Sequence, residues 1–257
     1  MTDKSYTHLA FLSDASGSMS RIAADVEGGF DAFIAEQRSA PGRCTVSLSD
    51  FAGRGDYRKI HEGIDIADVP PLKINPRGYT ALYDAIGRMI TETGAWLAAM
   101  PEEARPGLVI FGIMTDGLEN DSRELTAADV KRLIETQERE FAWTFSYLGA
   151  NQDAIEQGAQ MGVRADSAIT YSNAGAGDML GVYSGSVTRM RSAAATGAGV
   201  EATRLAGAYT SAERSAAMAG ADQDGGQSDP QSDPAMLASL VRHPRCAPGA
   251  RTRGSKS

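Results

Sequence analysis

The sequence predicts an α/β fold with a mostly parallel sheet, and three observations lead to this prediction. Short runs of β-forming residues alternate along the chain with longer segments of helical periodicity, which is the order typical of parallel βαβ units. The run Leu108–Thr115 is apolar on both faces, as expected of a central parallel strand covered by helices on each side. Oxygen-bearing side chains directly follow two of the predicted strands, where α/β proteins bind ligands.

The first part of the chain is predicted to supply two helices and three strands. Residues 7–13 form the first strand, and the helix after it is expected to have Ser20 or a neighbour as its N-cap. Cys44–Phe51 alternates apolar and polar residues and is predicted to be the second strand. A short glycine-containing turn then leads into Tyr57–Ile60, a third strand antiparallel to the second. The second helix runs from Ala81 to about residue 100.

Further elements continue the alternation after the central apolar run. Thr126 and Asp129 have the spacing of a capping box and predict the start of a helix. Trp143–Leu148 is the next predicted strand, and Asn151 is expected to cap the helix that follows it. Ala168–Tyr171 is predicted to be a last strand at the edge of the sheet.

The composition changes after residue 172, where Gly, Ala and Ser dominate. We therefore expect one α/β domain over 5–172, a weakly helical extension over 173–219 and a disordered tail over 220–257. Four apolar residues of the extension recur at the spacing of an amphipathic helix: Leu180, Tyr183, Val187 and Met190.

Composition and charge exclude several functional classes. A net charge of −8 argues against non-specific binding of nucleic acid. The two cysteines, Cys44 and Cys246, lie far apart, which argues against a disulfide framework and a structural zinc site. No signal-peptide pattern occurs and the densest apolar stretch, Leu108–Met114, is too short to cross a bilayer, so we expect a cytoplasmic protein that does not bind membranes.

Five oxygen-bearing residues are expected to form a metal site. Asp14, Ser16 and Ser18 follow the first strand, Thr80 precedes the second helix, and Asp116 follows the central apolar strand. These loops should converge, because ligands collect at the carboxyl ends of parallel strands where the strand order reverses. Two carboxylates balance the charge of a divalent cation, and oxygen ligands suit Mg²⁺, Mn²⁺ or Ca²⁺ better than softer metals.

In order and spacing, these residues resemble the metal-ion-dependent adhesion site of von Willebrand factor type A (vWA) domains, whose motif is Asp-x-Ser-x-Ser, then a threonine, then an aspartate. The resemblance covers the predicted α/β domain, and the short loops look more like intracellular bacterial or phage members. It implies a six-stranded, doubly wound sheet with one antiparallel edge strand. It also implies that Ser16, Ser18 and often Thr80 bind Mg²⁺ directly, and that Asp14 and Asp116 act directly or through water. An acidic side chain of a partner would fill the open position.

Other polar residues are interpreted as structural. Three acidic residues near the predicted site are expected to be solvated loop residues rather than ligands: Asp50, Glu119 and Asp121. The three histidines are isolated in the sequence and are expected at the surface or in turns: His8, His61 and His243.

Three functions are compatible with the predicted site. The favoured one is a non-enzymatic binding module in which the metal accepts an Asp or Glu carboxylate from a protein partner. The second is a Mg²⁺-dependent phosphoryl-transfer enzyme with Asp14 as nucleophile, which is disfavoured because Ser16 stands where an acid–base carboxylate would help and residues 13–20 contain no lysine. The third is a structural or assembly protein of a bacterium or phage, which self-associates by docking the acidic segment Asp222–Asp233 into a neighbour's metal site.

Overall fold

The computed structural model describes residues 2–150 and 153–218. The expected cap Asn151, the expected disordered tail 220–257, the acidic segment Asp222–Asp233 and His243 lie outside the described residues.

The centre of the fold is a six-stranded sheet with the strand order β3-β2-β1-β4-β5-β6. Its strands are β1 (Asp3–Asp14), β2 (Arg43–Phe51), β3 (Tyr57–Asp65), β4 (Pro106–Thr115), β5 (Thr144–Ala150) and β6 (Ala168–Tyr171). All neighbouring strands are parallel except β2 and β3, and β3 lies at one edge. The prediction of a mostly parallel, six-stranded sheet with one antiparallel edge strand is confirmed.

Helices cover both faces of this sheet. They are α1 (Ala23–Ser39), α2 (Leu82–Ala98), α3 (Ala127–Glu140), α4 (Ala154–Gln160), α5 (Ala176–Ala195), α6 (Val200–Gly207) and α7 (Ser211–Ala217). Successive residues of β1 point to opposite faces, so that Phe11 packs with α1 and α5 whereas Leu12 packs with α2 and α3. Within the described ranges, every helix is too short or too polar to cross a bilayer.

Two helix starts differ from the prediction. Ser20 does not cap α1, because residues 17–21 form a short 3₁₀ helix and Ile22 occupies the N-cap position without a side-chain hydrogen bond. The N-cap of α4 is Asp153, whose side chain accepts a hydrogen bond from the backbone of Glu156. The capping box of Thr126 and Asp129 at the start of α3 is confirmed.

His8 is not at the surface, contrary to the prediction, but lies fully buried in β1. Its ring lies 4.6 Å from that of Trp96, and its Nδ1 is hydrogen-bonded to Thr45 Oγ1 at 2.9 Å. Burial lowers the pKa of His8 to about 3, so the imidazole is neutral at physiological pH. The residue therefore acts as a packing group of the sheet face under α2.

Helix α5 is part of the packed core. Tyr183 is 1% exposed, and its ring lies 5.9 Å from that of Phe11 and 5.2 Å from that of Phe33. Gly112 of β4 makes room for it, because a Cβ atom at this position would lie 2.6 Å from the Tyr183 hydroxyl. The glycine in the central strand thus permits the close approach of α5 to the sheet.

A buried polar network joins α5 to α1. Gln37 is fully buried, and its Nε2 donates hydrogen bonds to Ser184 Oγ at 2.9 Å and Thr188 Oγ1 at 2.8 Å. Arg191 Nη1 in turn donates to the backbone oxygen and Oε1 of Gln37 at 2.7 and 3.0 Å. Since each bond requires one alignment of the two helices, the network fixes the position of α5 along α1.

The turn between α3 and β5 contains a non-glycine residue in the left-handed region. Ala142 has φ of 56°, and the backbone N–H of the next residue, Trp143, donates to the oxygen of Gln137 in the last turns of α3. Ala142→Gly should therefore raise the free energy of unfolding by about 0.5–1 kcal/mol, because glycine adopts this conformation without a steric penalty. Urea unfolding would measure this. An unchanged or lower stability would contradict the assignment of strain to this residue.

Candidate metal centre

Three loops meet at the carboxyl ends of β1 and β4, where the strand order reverses. The loop after β1 is joined to the loop before α2 by hydrogen bonds from Gly17 N to Gly78 O at 3.2 Å and from Arg77 N to Ala15 O at 2.8 Å. The loop after β4 is joined to the same segment, because Asn120 N donates to the oxygen of Thr80 at 3.0 Å. Backbone bonds therefore hold all three loops together.

The predicted residues of the first and third loops are in direct contact. Ser18 Oγ donates to Asp116 Oδ1 at 2.6 Å, and the hydroxyls of Ser16 and Ser18 lie 3.0 Å apart. The backbone N–H of Ser16 donates to Asp14 Oδ1 at 2.6 Å. The structure thus places four of the five predicted residues in one chain of hydrogen bonds.

Thr80, the remaining predicted residue, faces the same place. A Cβ atom on Gly117 would lie 3.5 Å from Thr80 Oγ1 and 3.8 Å from Ser18 Oγ, so both hydroxyls lie close to Gly117. Thr80 is 3% exposed and does not cap α2, whose N-cap position is occupied by Ala81. The absence of a side chain at residue 117 leaves space between the second loop and the other two.

Neither carboxylate has an ion-pair partner within residues 2–150 and 153–218, although the charge of Arg21 acts on Asp116. Asp14 is fully buried, Asp116 is partly buried, and neither forms an ion pair with a described residue. Burial raises the pKa of Asp14 to about 6, against hydrogen bonds from Thr115 and Ser16 that lower it. Burial also raises the pKa of Asp116, against a hydrogen bond from Ser18. A bound cation would offset the electrostatic cost of burying both charges.

The donor set fits a hard divalent cation. Two carboxylates and three hydroxyls offer oxygen atoms only, and together they supply the charge that a divalent ion requires. In the part of the chain that the structure describes, no group of three or more His, Cys, Asp or Glu side chains is placed to hold a metal.

Two residues that support the site were not predicted. Thr115 Oγ1 donates to Asp14 Oδ2 at 2.6 Å, and Asn120 Oδ1 accepts from the backbone N–H of Thr80 at 2.9 Å. The position of Thr115 at the end of the central strand, directly before Asp116, could have indicated its role. No local sequence signal indicates the role of Asn120, because its partner lies in a different loop.

The acidic residues near the site are fixed by hydrogen bonds rather than simply solvated. Asp121 accepts from the backbone and side chain of Arg54, and Asp50 accepts from Arg77 at 2.7 Å. The carboxylate of Glu119 accepts from backbone N–H groups that include that of Tyr83 at the start of α2. These residues therefore hold the loops together. That they are not metal ligands stays a prediction.

Comparisons with known proteins yield distant structural similarity alone. A scan against models of protein families finds no match, and a search of curated proteins finds none. Among solved structures, the chain is similar to proximal thread matrix protein 1 from the mussel byssus, in a structure whose metal-ion-dependent adhesion site (MIDAS) motif is occupied by zinc. The two are 17% identical over 74% of this chain and 46% of that chain, with a TM-score of 0.47.

Two further solved structures show similarity at the same level. The von Willebrand factor type A protein from Catenulispora acidiphila is 14% identical over 73% of this chain and 42% of that chain, with a TM-score of 0.44. The vWF domain of the type V pili tip protein Mfa5 from Porphyromonas gingivalis is 9% identical over 70% of this chain and 94% of that chain, with a TM-score of 0.47. The chain thus spans less than half the length of the first two proteins, and similarity this distant carries no argument about function.

Proposed function

We propose that this chain is a divalent-metal-dependent protein-binding module of the vWA type with a complete adhesion site. In this proposal, Asp14, Ser16, Ser18, Thr80 and Asp116 hold Mg²⁺, with Mn²⁺ or Ca²⁺ as substitutes, and a partner's Asp or Glu carboxylate fills the open position. The observation that carries the proposal is the convergence of these side chains around two carboxylates, one fully and one partly buried, that form no ion pair with a described residue. The match between the residue motif and the vWA pattern supports it.

The site residues are already ordered by hydrogen bonds from the surrounding loops. When bound, the cation would supply an electrophilic centre that attracts one carboxylate. Thr115 and the backbone of Ser16 hold the carboxylate of Asp14, while Asn120 holds the backbone of Thr80. Because these groups need little rearrangement, most of the interaction energy remains available for metal and partner.

The geometry favours binding over phosphoryl transfer. Both carboxylate oxygens of Asp14 accept hydrogen bonds, and the residue is fully buried. A nucleophile would have to be accessible to its substrate and would lose reactivity through these bonds. Ser16, the second residue after Asp14, also lacks the acid–base carboxylate that such an enzyme would use.

Metal binding can be tested by the thermal stability of the purified chain. Mn²⁺ or Mg²⁺ at about one hundred times its dissociation constant should raise the Tm by about 5–10 °C, because it binds only the folded state. The double variant Ser16→Ala, Ser18→Ala should lose most of this increase, whereas Ser20→Ala, an exposed serine of the same segment outside the donor set, should keep it. Equal increases in all three proteins would overturn the proposed ligand set.

Binding of a carboxylate can be tested on the Mn²⁺-loaded protein. Water-proton relaxation reports water molecules on bound Mn²⁺, so a short peptide with one glutamate should lower the relaxation enhancement by replacing such a water. The same peptide with glutamine should have little effect, because a neutral amide is a weaker ligand for a hard cation. Identical titrations with the two peptides would contradict the proposal.

A further inference from the structure

Two large apolar side chains are exposed beside the metal centre. Tyr79 is 68% exposed and directly precedes Thr80, while Leu118 is 54% exposed and directly follows Gly117. Gly117 and Thr80 are in turn neighbours in space, since a Cβ on the glycine would lie 3.5 Å from the threonine hydroxyl. The two exposed side chains thus belong to the two loops that close around the site.

The backbone on both sides of Tyr79 is fixed. Gly78, with φ of 60°, accepts a hydrogen bond from Gly17, and Thr80 N donates to Asn120 Oδ1. Gly53 packs against the backbone of Tyr79, because a Cβ at residue 53 would lie 3.2 Å from its nitrogen. An aromatic side chain on so constrained a backbone can be buried by a partner at a low cost in conformational entropy.

Leu118 has a similarly constrained backbone. The residue before it, Gly117, donates its N–H to Thr115 Oγ1, whose own proton is directed at Asp14. The residue after it, Glu119, accepts hydrogen bonds at both carboxylate oxygens, from groups that include the N–H of Ser122 and of Tyr83. The leucine is therefore presented by an ordered loop and contributes little to the core.

The charges around the site are largely neutralised within the protein itself. Arg54 pairs with Asp121 at 3.2 Å, and Arg77 pairs with Asp50 at 2.7 Å. Arg21 is the exception, because it is exposed and has no ion-pair partner among the described residues. With a divalent cation balancing Asp14 and Asp116, the surface would attract one carboxylate but offer little to additional charges.

We propose that Tyr79 and Leu118 form an apolar rim of the carboxylate site, so that the partner presents its metal-binding Asp or Glu beside a large apolar side chain rather than within a cluster of acidic residues. This inference rests on the proposed function and adds the chemistry of the partner's surface. The contact would bury two exposed apolar side chains at the centre of the interface, where such residues contribute most to affinity.

The test uses Mn²⁺-loaded protein and two blocked peptides, acetyl-Gly-Leu-Glu-Leu-Gly-amide and acetyl-Gly-Ser-Glu-Ser-Gly-amide. The wild-type protein should bind the leucine peptide about tenfold or more tightly than the serine peptide, as expected from burial of a large apolar side chain. The double variant Tyr79→Ser, Leu118→Ser should bind both peptides equally, with unchanged affinity for Mn²⁺. A matched control, Phe141→Ser with Leu205→Ser, removes side chains that are 60% and 66% exposed elsewhere and should retain the preference.

The possible outcomes separate this inference from the proposed function. Equal binding of both peptides by the wild-type protein, or a preference that survives in the Tyr79 and Leu118 variant, would overturn the apolar rim alone. If neither peptide binds to protein that has taken up Mn²⁺, both the proposed function and the rim are wrong. A preference lost in the rim variant and kept in the control supports the inference.

Discussion

Replacing Asp14 with asparagine is expected to stabilise the metal-free protein and to abolish its stabilisation by metal. The carboxylate of Asp14 is buried with no ion-pair partner, and burial raises its pKa from 3.8 to about 6. A shift of roughly two pKa units corresponds to about 3 kcal/mol, so Asp14→Asn should raise the free energy of unfolding at pH 7 by about 1–3 kcal/mol without metal. An asparagine can still accept from Ser16 N and can donate to Thr115 Oγ1.

The pH dependence of this effect follows from the direction of the shift. Because the pKa of Asp14 is higher in the folded state, its contribution to stability is fully present below about pH 4 and is lost as the pH rises through about 6. Between about pH 4 and pH 6, the metal-free wild-type protein should therefore become less stable than the Asp14→Asn variant. Conversely, the increase in wild-type Tm caused by Mg²⁺ should shrink as the pH falls below about 6, because protons and metal compete for the carboxylate.

Urea unfolding with EDTA and with Mg²⁺ at several pH values would measure both effects. Asp153→Asn is a matched control, because it removes one negative charge at an exposed helix N-cap where asparagine is equally suitable. It should alter neither the pH profile nor the response to metal. A metal-free Asp14→Asn protein that is less stable than wild type at pH 7 would contradict the view that this charge is uncompensated.

Truncating Tyr183 to alanine should lower the free energy of unfolding by about 3–5 kcal/mol, the range for removal of a buried aromatic side chain. The ring packs against Phe11 of β1 and Phe33 of α1, and its hydroxyl reaches Gly112 of β4. Loss of the ring would leave a cavity at the contact between α5 and the sheet. Since α5 is also fastened by Gln37 and Arg191, the surroundings can collapse only partly into this space.

Chemical unfolding monitored by far-UV circular dichroism would measure this loss. Leu205→Ala, which truncates a side chain that is 66% exposed, should change the free energy of unfolding by no more than about 0.5 kcal/mol. A loss of less than about 1 kcal/mol for Tyr183→Ala would mean that α5 is not an integral part of the core.

The fold class could be predicted because one strand carries a decisive signal. Leu108–Thr115 is apolar on both faces, and the structure places it in β4, next to β1 at the centre of the sheet. The bounds of β6 were predicted correctly, since Ala168–Tyr171 is a short β-forming run. Such signals can be read from the local sequence, because a strand that is buried on both faces accepts almost only apolar residues.

Elements with mixed environments were predicted less well. The third strand extends to Asp65 instead of ending at Ile60, because its polar, partly exposed residues give no clear alternation and its register with β2 shifts twice. Helix α5 has an Ala-, Gly- and Ser-rich sequence, so its strength as a core element comes from the packing of Tyr183 and from the network around Gln37. The local pattern correctly singles out Tyr183 as one of four apolar residues at helical spacing, and all four are buried, but it does not reveal the partners of Tyr183 or the polar network.

The candidate site was predictable to the extent that it follows a motif. The structure brings together the five residues that the motif singles out, but their supporting groups come from tertiary contacts. Thr115 adjoins the motif and Asn120 does not, and the bond from Asn120 to Thr80 joins two loops that are 40 residues apart. Side chains that fasten a site from a distance need coordinates to be found.

The bond between Ser18 and Asp116 joins residues that are 98 positions apart in the chain. The proposed set of oxygen ligands is therefore complete only after β4 has been synthesised and paired with β1. A divalent ion therefore cannot assist the early steps of folding, because loops separated by such a long stretch of chain close late. It would instead bind after the strands have paired, and would lower the unfolding rate without raising the folding rate.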